Sequence, residues 1–414
     1  MTATRPDTDA PAPPAAPRRR RRSDRAVAND ARILAAALAV LRSDGYDGLG
    51  MSHVARAAGL NSTGALYGRF ENVAELAVWV WTEQASCALR SISERVLALL
   101  EAPAVDEATL AEAQAIAAEL TDPDDALRAA IELLAVAPRI EELEEVVRPD
   151  VEAIISAAGG TAQATPRRRA QVLGQLSLAW GVGLLSLPSA APPLLWWMLV
   201  AGSIGLAHDR TRSRKAAEPI EAPAPTPDTG EPVRDVVLQA AATVVARTGF
   251  ERATVSRIAR RAGYSTGVIY EYYERKDDMI AELVEVLLET LYVTIAERDG
   301  ELMAEGRLAD LSGALLAGYV LPSAHQLQRL KVELYLAAAH QPGIDEALGR
   351  VLTRHTADMR ERLQAAGMSP EEAMLTPPGG RAIDHGIALV SAMAGPVDDV
   401  DWRLYIQALI SRNV

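Results

Sequence analysis

Hydroxyl-bearing and basic side chains surround a glycine turn in the stretch from Thr254 to Lys276. Apolar residues before the turn recur at helical spacing, namely Val255, Ile258, Ala259 and Ala262. Gly263 suits the left-handed residue that ends a helix, and Ser265 can cap a second helix. Two short helices joined by such a turn are typical of a helix-turn-helix, whose second helix enters the DNA major groove. The chemistry indicated is non-covalent recognition of double-stranded DNA.

A similar stretch occurs earlier in the chain, from Met51 to Phe70. Gly59 stands 204 positions before Gly263, whereas beyond the turn Tyr67 stands 203 positions before Tyr270. The chain therefore contains an internal duplication with one extra residue in the first turn, and a repeat of this period indicates two fused units.

Side chains for catalysis or metal binding are not grouped in this sequence. Cys87 is the only cysteine, which excludes a disulfide within the chain and a cysteine-based metal site and fits a reducing cytoplasm. The histidines are scattered, and the segment 181–186 only half-matches a dinucleotide-binding loop. We therefore expect no catalytic residue, no metal and no cofactor, and we predict that the protein is not an enzyme.

The net charge of −13 hides two basic regions. Ten arginines face four aspartates between Arg18 and Phe70, and eight basic residues face five acidic ones between Glu231 and Lys276. Positive charge is thus concentrated where phosphates would be met, while the acidic remainder repels DNA.

Residue for residue, the second stretch resembles the DNA-binding segment of the tetracycline-repressor (TetR) family of bacterial regulators. The positions that carry the resemblance are Gly249-Phe250, Thr254, Ile258-Ala259, Ala262 to Gly267, Ile269-Tyr270, Tyr272-Tyr273 and Lys276. With the repeat, the resemblance implies an all-α fold of two TetR-like units. Each unit would have a three-helix DNA-binding head and a helical body for ligand binding and dimerisation.

The resemblance also implies which side chains contact DNA. Hydroxyl groups and the lysine should meet phosphates, and glycines should allow close approach. In the first half the predicted contacts are Arg20, Arg21, Arg22, Ser52, Ser62, Thr63, Gly64, Tyr67 and Arg69. In the second half they are Thr254, Ser256, Ser265, Thr266, Gly267, Tyr270, Tyr272 and Lys276. The three arginines belong to a basic arm that follows phosphates or the minor groove, or else is simply a solvated charge run.

Each head departs from the family pattern. In the first, Gly50 stands where Thr254 caps a helix, and Val73 stands where the second copy has Lys276. In the second, Glu271 lies on the recognition helix, where phosphates disfavour it. These defects leave an alternative open, namely a ligand- or protein-binding module with one or both heads degenerate.

The predicted boundaries follow from composition and helical periodicity. They are a tail with a basic arm (1–24), a first head (25–71), a first body (72–209), a linker (210–232), a second head (233–275) and a second body (276–414). Within the first body, one helix should run unbroken from Asn72 to Leu100. The apolar pair Gly174–Leu187 and Leu194–Ala207 should form helices buried between the units, because each run is too short to span a bilayer.

The resemblance implies a ligand pocket in the bodies, and an apolar lining favours a small hydrophobic or amphipathic effector. Its candidate residues are Trp79 and Trp180 in the first unit and Tyr292, Tyr319 and Tyr335 in the second, with plain core aromatics as the alternative. The expected partners are a double-stranded DNA operator, this effector and a second unit, without a membrane. The units pair within one chain as a pseudo-dimer or between two chains, and we expect a cytoplasmic, ligand-relieved repressor.

Overall fold

The chain folds into helices that repeat one arrangement twice. The computed structural model describes residues 24–60, 62–102, 106–188, 218–221, 224–304, 308–365, 367–395 and 397–410. Within these ranges every regular element is helical and no strand occurs. The predicted all-α fold is confirmed.

The first unit begins with a head of three helices, α1 (Asp24–Gly48), α2 (Met51–Ala57) and α3 (Gly64–Tyr67). Its body contains α4 (Val73–Val80), α5 (Ser86–Ala98), α6 (Glu107–Thr121), α7 (Asp125–Val136), α8 (Glu141–Ala157) and α9 (Pro166–Leu185). A π-helical turn, Trp81–Ala85, joins α4 to α5, so the long helix expected from Asn72 is continuous but carries a bulge.

The second unit repeats this order. Its head contains α10 (Pro232–Thr248), α11 (Val255–Ala262) and α12 (Thr266–Tyr272). Its body contains α13 (Lys276–Ala304), α14 (Leu308–Tyr319), α15 (His325–Ala338), α16 (Pro342–Ala365), α17 (Pro370–Met393) and α18 (Trp402–Ile410). The apolar helix expected near Leu194–Ala207 lies outside the described residues.

Local sequence explains where several of these helices begin. Asp106, Asp124 and Thr165 each precede a helix in extended backbone, and each side chain accepts a hydrogen bond from the backbone N–H three residues later. Such caps satisfy donors that have no partner inside the helix. Among the described residues no helix combines the length and the apolar character needed to cross a bilayer.

The two units pack against each other through α9 and α17. The helices approach so closely that a Cβ atom on Gly181 would lie 1.7 Å from the Ala382 carbonyl oxygen. Reciprocally, a Cβ atom on Gly386 would lie 1.6 Å from the Ser177 carbonyl oxygen. Gly181 and Ser177 occupy the same relative positions as Gly386 and Ala382, so this contact has the self-complementary form of a two-fold interface.

Polar contacts accompany this helix pair. Arg148 on α8 donates to the carbonyl oxygens of Ala392 and Met393, at 3.1 and 3.3 Å, where α17 ends. The Tyr405 hydroxyl on α18 donates to the Gln175 side-chain oxygen on α9, at 2.9 Å. These bonds fix the register between the two bodies, because each joins a side chain of one unit to a helix of the other.

A second reciprocal contact lies where the bodies meet the heads. Arg139, just after α7, forms an ion pair with Glu333 on α15 at 3.0 Å, and His340, just after α15, lies 3.4 Å from Glu132 on α7. Arg139 also binds Asp47 at the end of the first head's α1 and donates to the Thr248 carbonyl at the end of the second head's α10. Both heads therefore meet at one guanidinium.

Candidate nucleic-acid interface

The second head has the complete geometry of a helix-turn-helix. The Thr254 hydroxyl accepts a hydrogen bond from the Arg257 N–H at 3.3 Å and caps α11. Gly263 ends α11 in the left-handed conformation, with φ 78° and ψ 18°. Ile258 and Ile269 bury the inner faces of α11 and α12. The polar side chains between them are consequently turned outward.

Most predicted contacts of the second head lie on this outer surface. Tyr270 is 56% exposed on α12, and Thr254, Ser256, Ser265 and Gly267 are exposed around it, with Thr266 half-buried. A hydroxyl or backbone N–H at such positions can donate to a phosphate oxygen without moving the fold. The surface around the N-terminus of α12 is therefore suited to a DNA backbone.

The first head presents a smaller version of the same surface. Tyr67 is 61% exposed, and Ser52, Ser62 and Gly64 are exposed, with Thr63 half-buried at the start of α3. However, α3 spans only four residues against seven in α12. α12 begins one position earlier than α3 and continues two positions further. The first copy has Gly68 where the second has Glu271, and the low helix propensity of glycine explains the earlier end of α3.

Three predicted DNA contacts are engaged within the protein instead. The Arg69 guanidinium binds the Asp30 carboxylate and lies 4.5 Å from the centre of the Trp79 ring. The Lys276 ammonium donates to the Phe250 carbonyl oxygen at 3.0 Å and lies 3.6 Å from the centre of the Phe250 ring. Tyr272 is half-buried beside Tyr273. We therefore leave Arg69, Tyr272 and Lys276 out of the proposed contact surface.

Lys276 instead ties the second head to the body. Its ammonium also lies 3.6 Å from the Glu251 carboxylate, so it joins the start of α13 to the turn after α10. Because it is only 18% exposed and already bound, a phosphate would have to compete with these partners. The predicted arm contacts Arg20, Arg21 and Arg22 lie outside the described residues.

Cationic side chains that the sequence reasoning overlooked border this surface. Arg56 is exposed in the last turn of α2, and Arg260 and Arg261 are exposed in the last turn of α11. The sequence did contain the signal, because all three fall outside the apolar face of their helices. Positive charge here favours the approach of phosphates to both heads.

The two tryptophans predicted to line an effector pocket in the first unit contact other side chains of that unit. The Trp79 ring contacts Phe70 at the junction of head and body in a tilted arrangement, with ring centres 5.4 Å apart. Trp180 is fully buried, and its indole N–H donates to the Ser93 hydroxyl at 3.0 Å. Trp79 and Trp180 therefore make the packing contacts given above as the alternative, and their contact with a ligand stays a prediction.

The second-unit candidates belong to a buried polar cluster. The Tyr292 ring stacks on His355 with ring centres 4.1 Å apart, and the Tyr335 ring meets His385 edge-on at 4.6 Å. Tyr319 is buried, with the Lys331 ammonium 4.5 Å from the centre of its ring. These three tyrosines are core residues in contact with titratable neighbours.

Burial sets the proton affinities in this cluster. It raises the pKa of Tyr292 to about 12 and lowers the pKa values of His355 and His385 to about 4. Burial also lowers the pKa of Lys331, which is nevertheless paired with Asp384. Both histidines are therefore neutral at physiological pH.

A metal site was not expected from the sequence. In the described ranges no group of three or more acidic, histidine or cysteine side chains is arranged to hold a metal ion.

Two cavities lie where the units meet, and none of the five aromatic candidates lines either one. The larger, about 300 Å³, is bordered by the turn after α7, by α15 and by α17. The smaller, about 30 Å³, surrounds the contacts of Arg139 and His340. Sequence reasoning missed both cavities, because their walls come from segments that are distant in the chain.

Comparison with known proteins agrees with the geometry of the heads. The family model described as "Bacterial regulatory proteins, tetR family" matches residues 33–78 and again residues 237–283. The HTH-type transcriptional regulator BetI of Vibrio vulnificus (strain YJ016) is 28% identical over 164 residues, 39% of this chain and 81% of the relative. BetI of Vibrio parahaemolyticus serotype O3:K6 (strain RIMD 2210633) is 27% identical over 157 residues, 37% of this chain and 77% of the relative.

Among solved structures, the fatty acid degradation regulator FadR from Bacillus halodurans is similar with a TM-score of 0.36 and 19% identity, over 45% of this chain and 99% of that one. The BetI relatives each correspond to less than half of this chain, whereas the family model matches it twice. The chain is therefore a tandem TetR-like protein, with two TetR-family segments in one polypeptide.

Proposed function

We propose that the chain is a ligand-relieved transcriptional repressor whose two heads bind one pseudo-palindromic operator as an intrachain pseudo-dimer. The observation that carries this proposal is the reciprocal packing of α9 against α17, with Gly181 and Gly386 at equivalent positions. Such a contact supplies within one chain the two-fold relation that a palindromic site requires.

The arrangement of the heads supports a shared duplex. Arg139 binds Asp47 of the first head and the Thr248 carbonyl of the second, so the ends of α1 and α10 lie side by side. Both heads expose a tyrosine at the same point of the recognition helix, Tyr67 and Tyr270. We propose that these hydroxyls donate to phosphates on the two half-sites, while the exposed arginines of α2 and α11 supply the salt-dependent part of the affinity.

The second candidate function is a binding module in which the first head no longer reads DNA. The four-residue α3 favours it, and so does Gly50, which provides no side-chain cap for α2. The two candidates differ in one respect that can be measured, namely whether the first head contributes to affinity.

The test is DNA binding by the full chain and by Tyr67→Phe and Tyr270→Phe, measured by fluorescence anisotropy on DNA flanking its own gene. Each substitution removes one hydroxyl from an exposed ring, so the fold is preserved. Loss of a hydrogen bond to a charged phosphate should weaken binding about tenfold for each variant. Tyr264→Phe is the matched control, because Tyr264 is an exposed tyrosine to which no contact is assigned.

Two results would contradict the proposal. An unchanged affinity for Tyr67→Phe beside a weakened Tyr270→Phe would favour the module with a degenerate first head. If no fragment of this DNA showed salt-dependent binding, neither head would bind DNA as proposed.

A further inference from the structure

We propose that the cavity of about 300 Å³ between the two units binds a small amphipathic organic acid, with Arg329 holding its carboxylate and Gln328 accepting a hydrogen bond from it. The proposal gives the effector a site and a chemical class. Only its link to DNA release rests on the proposed function.

Both units build the walls of this cavity. Ala135, Pro138 and Arg139 come from the end of α7 and the turn that follows, and the remaining walls come from α15 and α17. Its volume is at the lower end of the range for small-molecule sites. A ligand here would touch the first body and the second body at once.

One wall of the cavity carries an unpartnered polar atom. Gln328 is 4% exposed, and its side-chain nitrogen donates to Asp384 at 3.2 Å. Its side-chain oxygen is buried and accepts no hydrogen bond from any residue that the structure describes. A buried acceptor without a partner is costly, so a ligand that brings a hydroxyl or N–H donor would relieve that cost.

Two arginines and two glutamates line the cavity, and of these four Arg329 alone lacks an ion-pair partner among the described residues. Arg139 is paired with Asp47 and Glu333, and Glu144 is paired with Arg148. Arg329 is half-buried at the wall and forms no ion pair within the described part of the chain. A guanidinium in this state is a suitable partner for one carboxylate, which it can bind through two parallel hydrogen bonds.

The rest of the lining is apolar and small. Val332, Ala388, Leu389 and Ala392 supply methyl and aliphatic surface, while Ser391 adds a hydroxyl and His325 an imidazole. None of the described residues that line the cavity is a phenylalanine, tyrosine or tryptophan. The complementary molecule is therefore a short aliphatic chain with one carboxylate and a nearby hydroxyl or amide donor.

The cavity is connected directly to both heads. Arg139 lines it and at the same time holds Asp47 of the first head and the Thr248 carbonyl of the second. A ligand that displaces Arg139 or Glu333 from their mutual ion pair would change the ties of both heads together. This is the structural route by which occupancy would alter the spacing of α3 and α12.

The site is tested by isothermal titration calorimetry of the full chain with β-hydroxyoctanoate, which has the carboxylate, the donor and a short alkyl chain. Octanoate lacks the hydroxyl, and the matching diol lacks the carboxylate. We expect β-hydroxyoctanoate to bind most tightly, and Arg329→Gln to weaken its binding about tenfold or more, since a charge-assisted bond is lost. Arg360→Gln is the matched control, because Arg360 is exposed on α16 and does not line the cavity.

Ala388→Leu, which fills the cavity while keeping the charge of Arg329, should also weaken binding, and thermal melting checks that each variant is folded. Three results would each overturn the proposed site. They are failure of β-hydroxyoctanoate to bind, equal binding of the acid and the diol, and equal binding of the acid by wild type and Arg329→Gln. Calorimetry uses no DNA, so this outcome is independent of the operator. Binding without release of operator DNA in an anisotropy assay would overturn the coupling alone.

Discussion

At the scale of single residues, the contact between units depends on two cations at equivalent positions. Arg139 follows α7 and His340 follows α15, and each pairs with a glutamate on the other unit's equivalent helix. Gly45 and Gly249, both at positive φ, leave room for them, since a Cβ atom there would lie 2.7 Å from His340 and 2.6 Å from Arg139, respectively.

Proton binding at this contact has a defined sign. Burial lowers the pKa of His340, but the hydrogen bond and charge of Glu132 outweigh burial, so its net pKa is raised. Burial raises the pKa of Glu333 to about 7, and the charge of Asp47 adds to this, although Arg139 opposes it. Both groups bind protons more tightly in the folded protein, so both favour folding less as pH rises.

We predict that Glu333→Gln gains stability relative to wild type as pH increases. In the wild type, the protonated Glu333 carboxyl contributes fully to the free energy of unfolding below the usual glutamate pKa of 4.5. This contribution is lost as the pH rises through the folded pKa of about 7. The relative change in the free energy of unfolding between pH 4.5 and pH 8 should be on the order of 2–3 kcal/mol. Urea denaturation at several pH values measures it.

Glu145→Gln is the control for this series, because it removes a carboxylate that is exposed on α8 and lies outside this contact. A pH-independent difference for Glu333→Gln would show that folding leaves the pKa of Glu333 unchanged, and the explanation given for this contact would be wrong. His340 makes the stability of the wild-type protein depend on pH as well. Its contribution to the free energy of unfolding is complete below pH 6.5 and is lost above its raised pKa.

At the scale of elements, the crossing of α9 and α17 depends on residues without a Cβ atom. Gly181→Ala and Gly386→Ala each place a methyl group into the opposite helix backbone, so the helices must separate. We predict a loss of about 1–3 kcal/mol of unfolding free energy for each, or more if the helices cannot shift. Gly349→Ala on α16 is the same change with nothing within 4 Å, and it should be neutral or stabilising by up to about 1 kcal/mol. Thermal and urea denaturation separate these outcomes, and equal effects for all three would contradict the proposed close crossing.

Local signals in the sequence were sufficient to predict the helix ends in the second head. Thr254 was expected to cap a helix, and its hydroxyl accepts a hydrogen bond from the Arg257 N–H at the start of α11. Gly263 was expected in the left-handed conformation, and its φ of 78° confirms this. These features depend on a few neighbouring residues, which is why a sequence can specify them.

Features that depend on distant residues were not predictable in the same way. α17 begins at Pro370 and continues through Pro377 and Pro378, although proline disfavours the interior of a helix. Lys276 matched a phosphate-binding pattern, yet the Phe250 carbonyl holds its ammonium. The cavity walls likewise come from both units, and single-sequence patterns contain no information on such pairings.

At the scale of the whole molecule, we propose a dimer-like regulator contained in one chain. The two heads differ, because α3 has four residues and α12 has seven, so the two half-sites of the operator should not be equivalent. We predict that base changes under the second head reduce affinity more than the mirrored changes under the first. Anisotropy titrations on paired operator variants measure this, and identical losses would contradict the asymmetry.

The central claim is that one polypeptide provides both readers of one operator. Native mass spectrometry of the complex with operator DNA tests it most directly, because it counts chains per duplex. We predict a complex of one 44.2 kDa chain with one duplex. A complex in which two chains occupy a single operator, with no one-chain species at limiting protein, would contradict it.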